Sequence, residues 1–179
     1  MKSEERHQLE QNELADGLTR FVVKTRPFLP FLFAGILVIT GAAIGYAYWA
    51  NIQQQKQDDA WQEFFAAINE GQLEPLETLI SRYPEAQAVP YARLRVADLK
   101  FEQGKKALVN SRAKALGSID EAIGIYELLV SSEQIDVQQQ ALFGQALATE
   151  SKGALSEARS IYERVASNFP GTVWASRAN

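Results

Sequence analysis

The chain has 179 residues, 18 of them Lys or Arg and 22 Asp or Glu, giving a net charge of −4, and it contains no cysteine. Disulfides and thiolate chemistry are therefore excluded, and any folded core must be closed by packing alone. The acidic balance, with no basic patch, speaks against nucleic acid as a partner.

Residues 1–26 read as a cytoplasmic tail in which Glu4, Glu5, Glu10, Glu13 and Asp16 balance Lys2, Arg6, Arg20, Lys24 and Arg26. Leu9, Leu14, Leu18 and Phe21/Val22 recur at roughly helical spacing. Such a stripe suits the inner leaflet or a partner helix; a weakly ordered tail is the plainer alternative. From Pro27 to Gln55 there is no charged side chain. Phe31 to Ala50 gives about twenty apolar residues, or ~30 Å of helix, which matches the hydrocarbon thickness of a bilayer. Tyr46, Tyr48 and Trp49 gather at its far end, where amphipathic rings sit at headgroup level.

Residues 27–52 are thus expected to form a single transmembrane anchor. Arg20, Lys24 and Arg26 precede it and only Lys56 follows closely, so the N-terminus is expected in the cytoplasm and residues 53–179 outside it. A cleaved signal peptide is the competing reading, with Gly41-Ala42-Ala43 as the cleavage site. The long leader, rich in acids, argues against it. Gly41 and Gly45 form a GxxxG pair through which two spans could pack as a homodimer, although small residues are common in any span.

Beyond the span, Trp61, Phe64/Phe65 and Ile68 share one helical face, with no breaker between Ile52 and Glu70. The membrane helix is therefore expected to run on as a polar stalk into the outer domain, ending at Gly71. Leu73, Leu76, Leu79/Ile80 and Tyr83 mark a second helix stopped by Pro84. A third begins near Pro90, with Leu94, Ala97, Phe101, Gly104 and Leu108 along one line. The next turn falls at Gly104 or at Asn110-Ser111. The second is preferred, because Ser111 can cap and Ala115, Ile119, Ala122/Ile123, Tyr126 and Leu129/Val130 keep one period. Gly104 and Gly117 would then let two long helices approach closely. A capping box at Ser118-x-x-Glu121 is the rival start. Asp136, with Gln139 three residues on, is expected to cap a fifth helix to about Lys152. Gly153 turns into a sixth, marked by Leu155, Ala158, Ile161/Tyr162 and Val165 and ending before Pro170, and a seventh barely begins at Trp174.

Internal similarity follows the same order. Asp120-Glu121-Ala122-Ile123 with Tyr126 returns as Ser156-Glu157-Ala158-Arg159 with Tyr162; Ser81-Arg82-Tyr83-Pro84 returns as Ser167-Asn168-Phe169-Pro170; and Tyr91-Ala92 returns as Trp174-Ala175. A period in the mid-thirties built from paired helices is that of tetratricopeptide repeats, ~34 residues each. Ala141 to Pro170 resembles that family best: Leu142 stands at the usual tryptophan, Ala146 at the small residue, Gly153 at the turn, and Ala158, Tyr162 and Pro170 at later positions. Gln145 and Thr149 depart from it, and the middle repeat carries extra residues between Lys105 and Gly117.

A short tail, one span and then degenerate repeats resembles the single-span tetratricopeptide proteins of bacterial envelopes, whose best-known member is the ancillary subunit of the Sec translocon. That resemblance implies an all-α protein of the bacterial inner membrane, with a right-handed stack of about three helical hairpins in the periplasm. It also implies partners among the Sec translocon, periplasmic chaperones and client chains, besides membrane lipid. By the repeat register, Tyr91, Leu94, Asp98 and Phe101 should face or border a binding groove, as should Gln140, Phe143 and Leu147 in the last repeat; Leu94 and Phe101 have equal claim to be core. These side chains suit a peptide held mainly by apolar contacts. Trp174 either packs on the last pair or serves as a C-terminal contact.

No enzyme is indicated. His7 lies alone in the tail with no metal-ligand companion, and no P-loop or dinucleotide fingerprint appears. Asp58-Asp59 and Asp120-Glu121 suit helix starts better than acid–base chemistry. No cofactor or metal site is expected. The competing functions are an adaptor beside the translocon, a self-associating structural or cell-division protein, and a membrane-tethered hydrolase that would need a cleft of convergent carboxylates.

Overall fold

The computed structural model describes residues 19–21, 23 and 26–178. The stripe at Leu9, Leu14, Leu18 and Val22, and His7 with it, lies outside the described residues. Among those described there is no strand. After a 3-10 turn at Arg26–Phe28 come α1 (Leu29–Glu70), α2 (Leu73–Arg82), α3 (Val89–Ala107), α4 (Arg112–Leu129), α5 (Ile135–Ser151), α6 (Leu155–Asn168) and α7 (Val173–Ala178). The chain divides into two compact units, one ending at Ile52 and the other starting at Gln53.

The first unit is dominated by the apolar half of α1. Phe31, Leu32, Phe33, Ile36, Leu37, Val38, Ile39 and Ile44 are all exposed. The described chain contains one helix long and apolar enough to cross a membrane, near the N-terminus, its most apolar stretch averaging a mean hydropathy of 2.2. Tyr46 and Trp49 lie with ring centroids 6.1 Å apart at its far end. Gly41 and Gly45 have open space where a Cβ would stand.

In the second unit the expected helices appear in the expected order. α1 continues unbroken through the polar run to Glu70, and Gly71 then turns the chain at φ 66°, as Gly153 does after α5 at φ 90°, conformations that other residues adopt at a cost. Between α3 and α4 the turn lies at Asn110-Ser111: α4 starts at Arg112, and the Ser111 side chain accepts from the Lys114 N–H at 3.5 Å. Ser118 and Glu121 therefore sit inside a helix rather than at its start. Gly104 does face α4 at close range, since an added Cβ would fall 2.6 Å from Ile119 Cγ1 and 3.0 Å from the Ala115 carbonyl oxygen. Gly117 does not, being exposed with nothing near it. The expected Asp136 cap is not formed either. α5 begins two residues earlier than that cap would place it, at Ile135 after Gln134, with no side-chain cap bond.

Two corners repeat in detail. Tyr83 closes α2 at φ −125°, ψ 58°, and Phe169 closes α6 at φ −129°, ψ 52°. Each N–H still reaches back to a helical carbonyl, Leu79 and Val165 respectively. Each precedes a proline, which disfavours the α conformation in the residue before it. The core is a row of three clusters. Ala60, Phe64 and Ala67 of α1 meet Leu76, Leu79, Ala92 and Val96; Leu94, Ala97 and Phe101 of α3 meet Ile119, Tyr126 and Val137; Leu142, Phe143 and Ala146 of α5 meet Ile161 and Val165. Leu76, Leu79 and Ile119 are fully buried, each worth about 1.5–3 kcal/mol relative to exposure. Successive helices from α2 onward pack on one another, and α3 also packs on α5 and α5 on α7.

Candidate functional site: a face across the odd-numbered helices

The aromatic residues of α1 define the site. Neighbouring helical residues point about 100° apart, so Phe64 and Phe65 cannot both enter the core. Phe64 does, while Phe65 remains 58 % exposed and stacks on half-buried Trp61 at 5.8 Å. The Trp61 ring in turn tilts against Tyr91 of α3 at 5.4 Å. The Tyr91 hydroxyl then donates to Asp136 Oδ1 of α5 at 3.2 Å. A continuous line therefore runs from an exposed ring on α1, through a half-buried ring on α3, to a carboxylate on α5. The phenol of Tyr91 is raised above its ordinary range, first by burial and then by its bond to Asp136. This is also the role Asp136 takes in place of the cap.

The seven expected groove residues divide. Tyr91, Asp98, Gln140 and Leu147 are partly exposed. Leu94, Phe101 and Phe143, at 6, 8 and 9 % exposure, belong to the core clusters, with Lys105 Nζ 4.9 Å above the Phe101 ring. Gln140 donates to the Asp136 carbonyl within its own helix at 3.3 Å. Asp98 accepts from the Tyr126 hydroxyl at 2.6 Å, tying α3 to α4. Its carboxyl is raised by desolvation, opposed by the Tyr126 bond and by Arg95, while the Tyr126 phenol is pushed far up by burial and the Asp98 charge. Tyr126, only 1 % exposed, lies under Gly144, where an added Cβ would fall 2.7 Å from its ring.

Trp61, Phe65 and Asp136 are members of this face that the sequence reading did not assign to it. The signal for Phe65 was the Phe64-Phe65 pair itself, since one of two adjacent rings must point away from the core. Asp136 carried no such signal, because its partner lies 45 residues earlier.

At the far end, Trp174 packs on Phe143 with ring centroids 5.2 Å apart, and the Arg177 guanidinium lies 5.3 Å from its ring. Beside it an open cleft of about 430 Å³ is lined by Glu150, Leu155, Arg159, Tyr162, Glu163 and Ala178. Tyr162 donates to Glu150 at 2.7 Å, and Arg159 pairs with Glu163 at 3.1 Å. Its charged groups are thus already engaged with one another. Among the described residues no three His, Cys, Asp or Glu side chains come together as a metal site would require. Compared with models of known families and with curated proteins, the chain finds no match.

Proposed function

We propose that this protein is a membrane-anchored scaffold whose outer domain, a degenerate tetratricopeptide-like array, holds other polypeptides beside the protein-translocation machinery. The apolar half of α1 is the anchor, the N-terminus is cytoplasmic and residues 53–179 face the periplasm. The observation that carries the reading is the line from Phe65 through Trp61 and Tyr91 to Asp136. It gives three odd-numbered helices one shared face with an exposed aromatic edge, and aromatic side chains supply much binding energy at low entropic cost. The pairing of α3 with α5 and α5 with α7, beside the sequential hairpin contacts, is the arrangement that a helical-repeat array requires. An extended, mainly apolar segment, such as an unfolded client chain, is the occupant this face suits.

A photo-crosslinking residue in place of Phe65, in intact bacterial membranes, tests the proposal. Bands with translocon subunits, periplasmic chaperones or secreted chains are expected, and the Tyr91→Ala change should weaken them. A dominant homodimer would favour the structural reading, in which Gly41 and Gly45 join two spans.

A further inference from the structure

We infer that the aromatic face selects segments in which a lysine or arginine stands beside apolar side chains, a substrate class that rests on the scaffold reading and narrows it. Every group involved belongs to the second unit. Asp58, Trp61 and Phe65, spaced i, i+3 and i+7, form one stripe of α1, and Asp136 stands where the aromatic line reaches α5. Both aspartates are exposed, and neither is in an ion pair among the described residues. Their hydrogen-bond partners are neutral: Gln54 Nε2 donates to Asp58 at 3.1 Å, and the Tyr91 hydroxyl donates to Asp136 at 3.2 Å.

The cations of these helices do not cancel that charge. On α1 the nearest, Lys56, lies about 140° around the helix from Trp61. On α3, Arg95 shares the face of Tyr91 but is set against Asp98, whose charged form it favours. Arg93 lies on the far side of α3, in a cleft with Glu85 and Glu133. Lys105 and Lys106 stand in the last turn of α3, and Lys105 is paired with Glu102 at 2.5 Å. α5 contains no lysine or arginine. Asp58 and Asp136 are therefore left without a counter-charge. Other rings of the same domain show what can cover them. Trp174, the counterpart of Tyr91, has the Arg177 guanidinium 5.3 Å from its ring, and Phe101 has Lys105 Nζ at 4.9 Å. Among the described residues no cation lies over Trp61, Phe65 or Tyr91. A cation is drawn to the face of an aromatic ring, and a carboxylate beside the ring adds to that pull. A basic side chain of the bound segment supplies the missing charge, its stem lying on Phe65 and Trp61 and its head meeting Asp58 or Asp136.

The test measures binding of short unstructured peptides to the full-length protein in a non-ionic detergent, by fluorescence anisotropy. The peptides share one apolar composition and differ only in a central Lys, Gln or Glu. The Lys peptide should bind about fivefold tighter than the Gln peptide, and the Glu peptide more weakly than either. Asp58→Asn and Asp136→Asn should each narrow the Lys-to-Gln ratio about twofold, since Asn keeps a hydrogen-bond acceptor but removes the charge. Glu77→Gln on α2, away from this face, should leave the ratio as it is. Equal affinity for the Lys and Gln peptides would overturn the selection while leaving the scaffold reading in place, whereas no binding of any peptide would overturn both. A ratio indifferent to the two aspartate changes, or narrowed equally by Glu77→Gln, would overturn the site.

Discussion

The first and last corners of the second unit share backbone angles to within a few degrees, yet the joints they lead into differ in substance. Tyr91, after the first corner, meets two rings of α1 and the carboxylate of Asp136, on a helix of 19 residues. Trp174, at the matching position after the last, meets Phe143 and Arg177 on a helix of six. The middle corner, between α4 and α5, has neither proline nor aromatic residue; Gln138 Nε2 instead donates to the Ser132 carbonyl at 2.5 Å. There Val130 closes its helix at φ −61° and ψ −24°, so the backbone path shared by the first and last corners, each set by a residue before proline, does not extend to the middle one.

The largest expected effect lies at the first joint. Trp61→Ala should cost about 3 kcal/mol, measured by urea unfolding of the full chain in detergent, because three neighbouring rings lose a partner. Trp174→Ala should cost about half as much, with one ring and one guanidinium affected. Equal losses would mean that the two joints are energetically alike despite their difference in contacts. Next come two glycines that the sequence pattern could not separate. Gly104→Ala should destabilise by about 1–3 kcal/mol, because the Ala115 carbonyl oxygen in its way is backbone and cannot swing aside. Gly117→Ala, in open space on the same helix pair, should stabilise by about 0.5–1 kcal/mol through helix propensity.

At neutral pH a change of about 1 kcal/mol is expected at Tyr126, and it shows most clearly in the pH profile. Folding raises the Tyr126 phenol above its ordinary value of 10.0, so above that pH the native state keeps a proton that the unfolded chain releases. Stability should therefore be fully present below pH 10 and fall as pH rises beyond it, by up to about 1.4 kcal/mol per pH unit from this group. Asp98, also raised, bends the acid side in the same sense: its desolvation penalty is absent below the ordinary carboxylate range and grows as pH rises through its elevated pKa. Tyr126→Phe should flatten the alkaline limb by one group while costing about 1 kcal/mol at neutral pH. An unchanged limb would show that the phenol is not the titrating group.

Most of the fold was legible because it is local. Ser111 could be recognised as a cap from its place ahead of an unbroken apolar period, and the Tyr-Pro and Phe-Pro corners from proline's effect on the preceding residue. Leu94 and Phe101 were ambiguous because an apolar residue on a repeat helix serves core and groove equally until its neighbours are known. Contacts at long separation were not legible at all. Nothing near Asp136 points to Tyr91, and nothing near Gly144 reveals the ring of Tyr126 beneath it. The shared face of α1, α3 and α5 depends on such pairs, so the residues that build it emerge only once the helices are side by side.

From α2 onward, the substantial packing partners of each helix lie one or two helices away along the chain. A polypeptide emerging N-terminus first during its synthesis can therefore consolidate helix by helix, each new pair condensing on the one before. Such a domain need not wait for its final residues before its earlier ones are safe from aggregation.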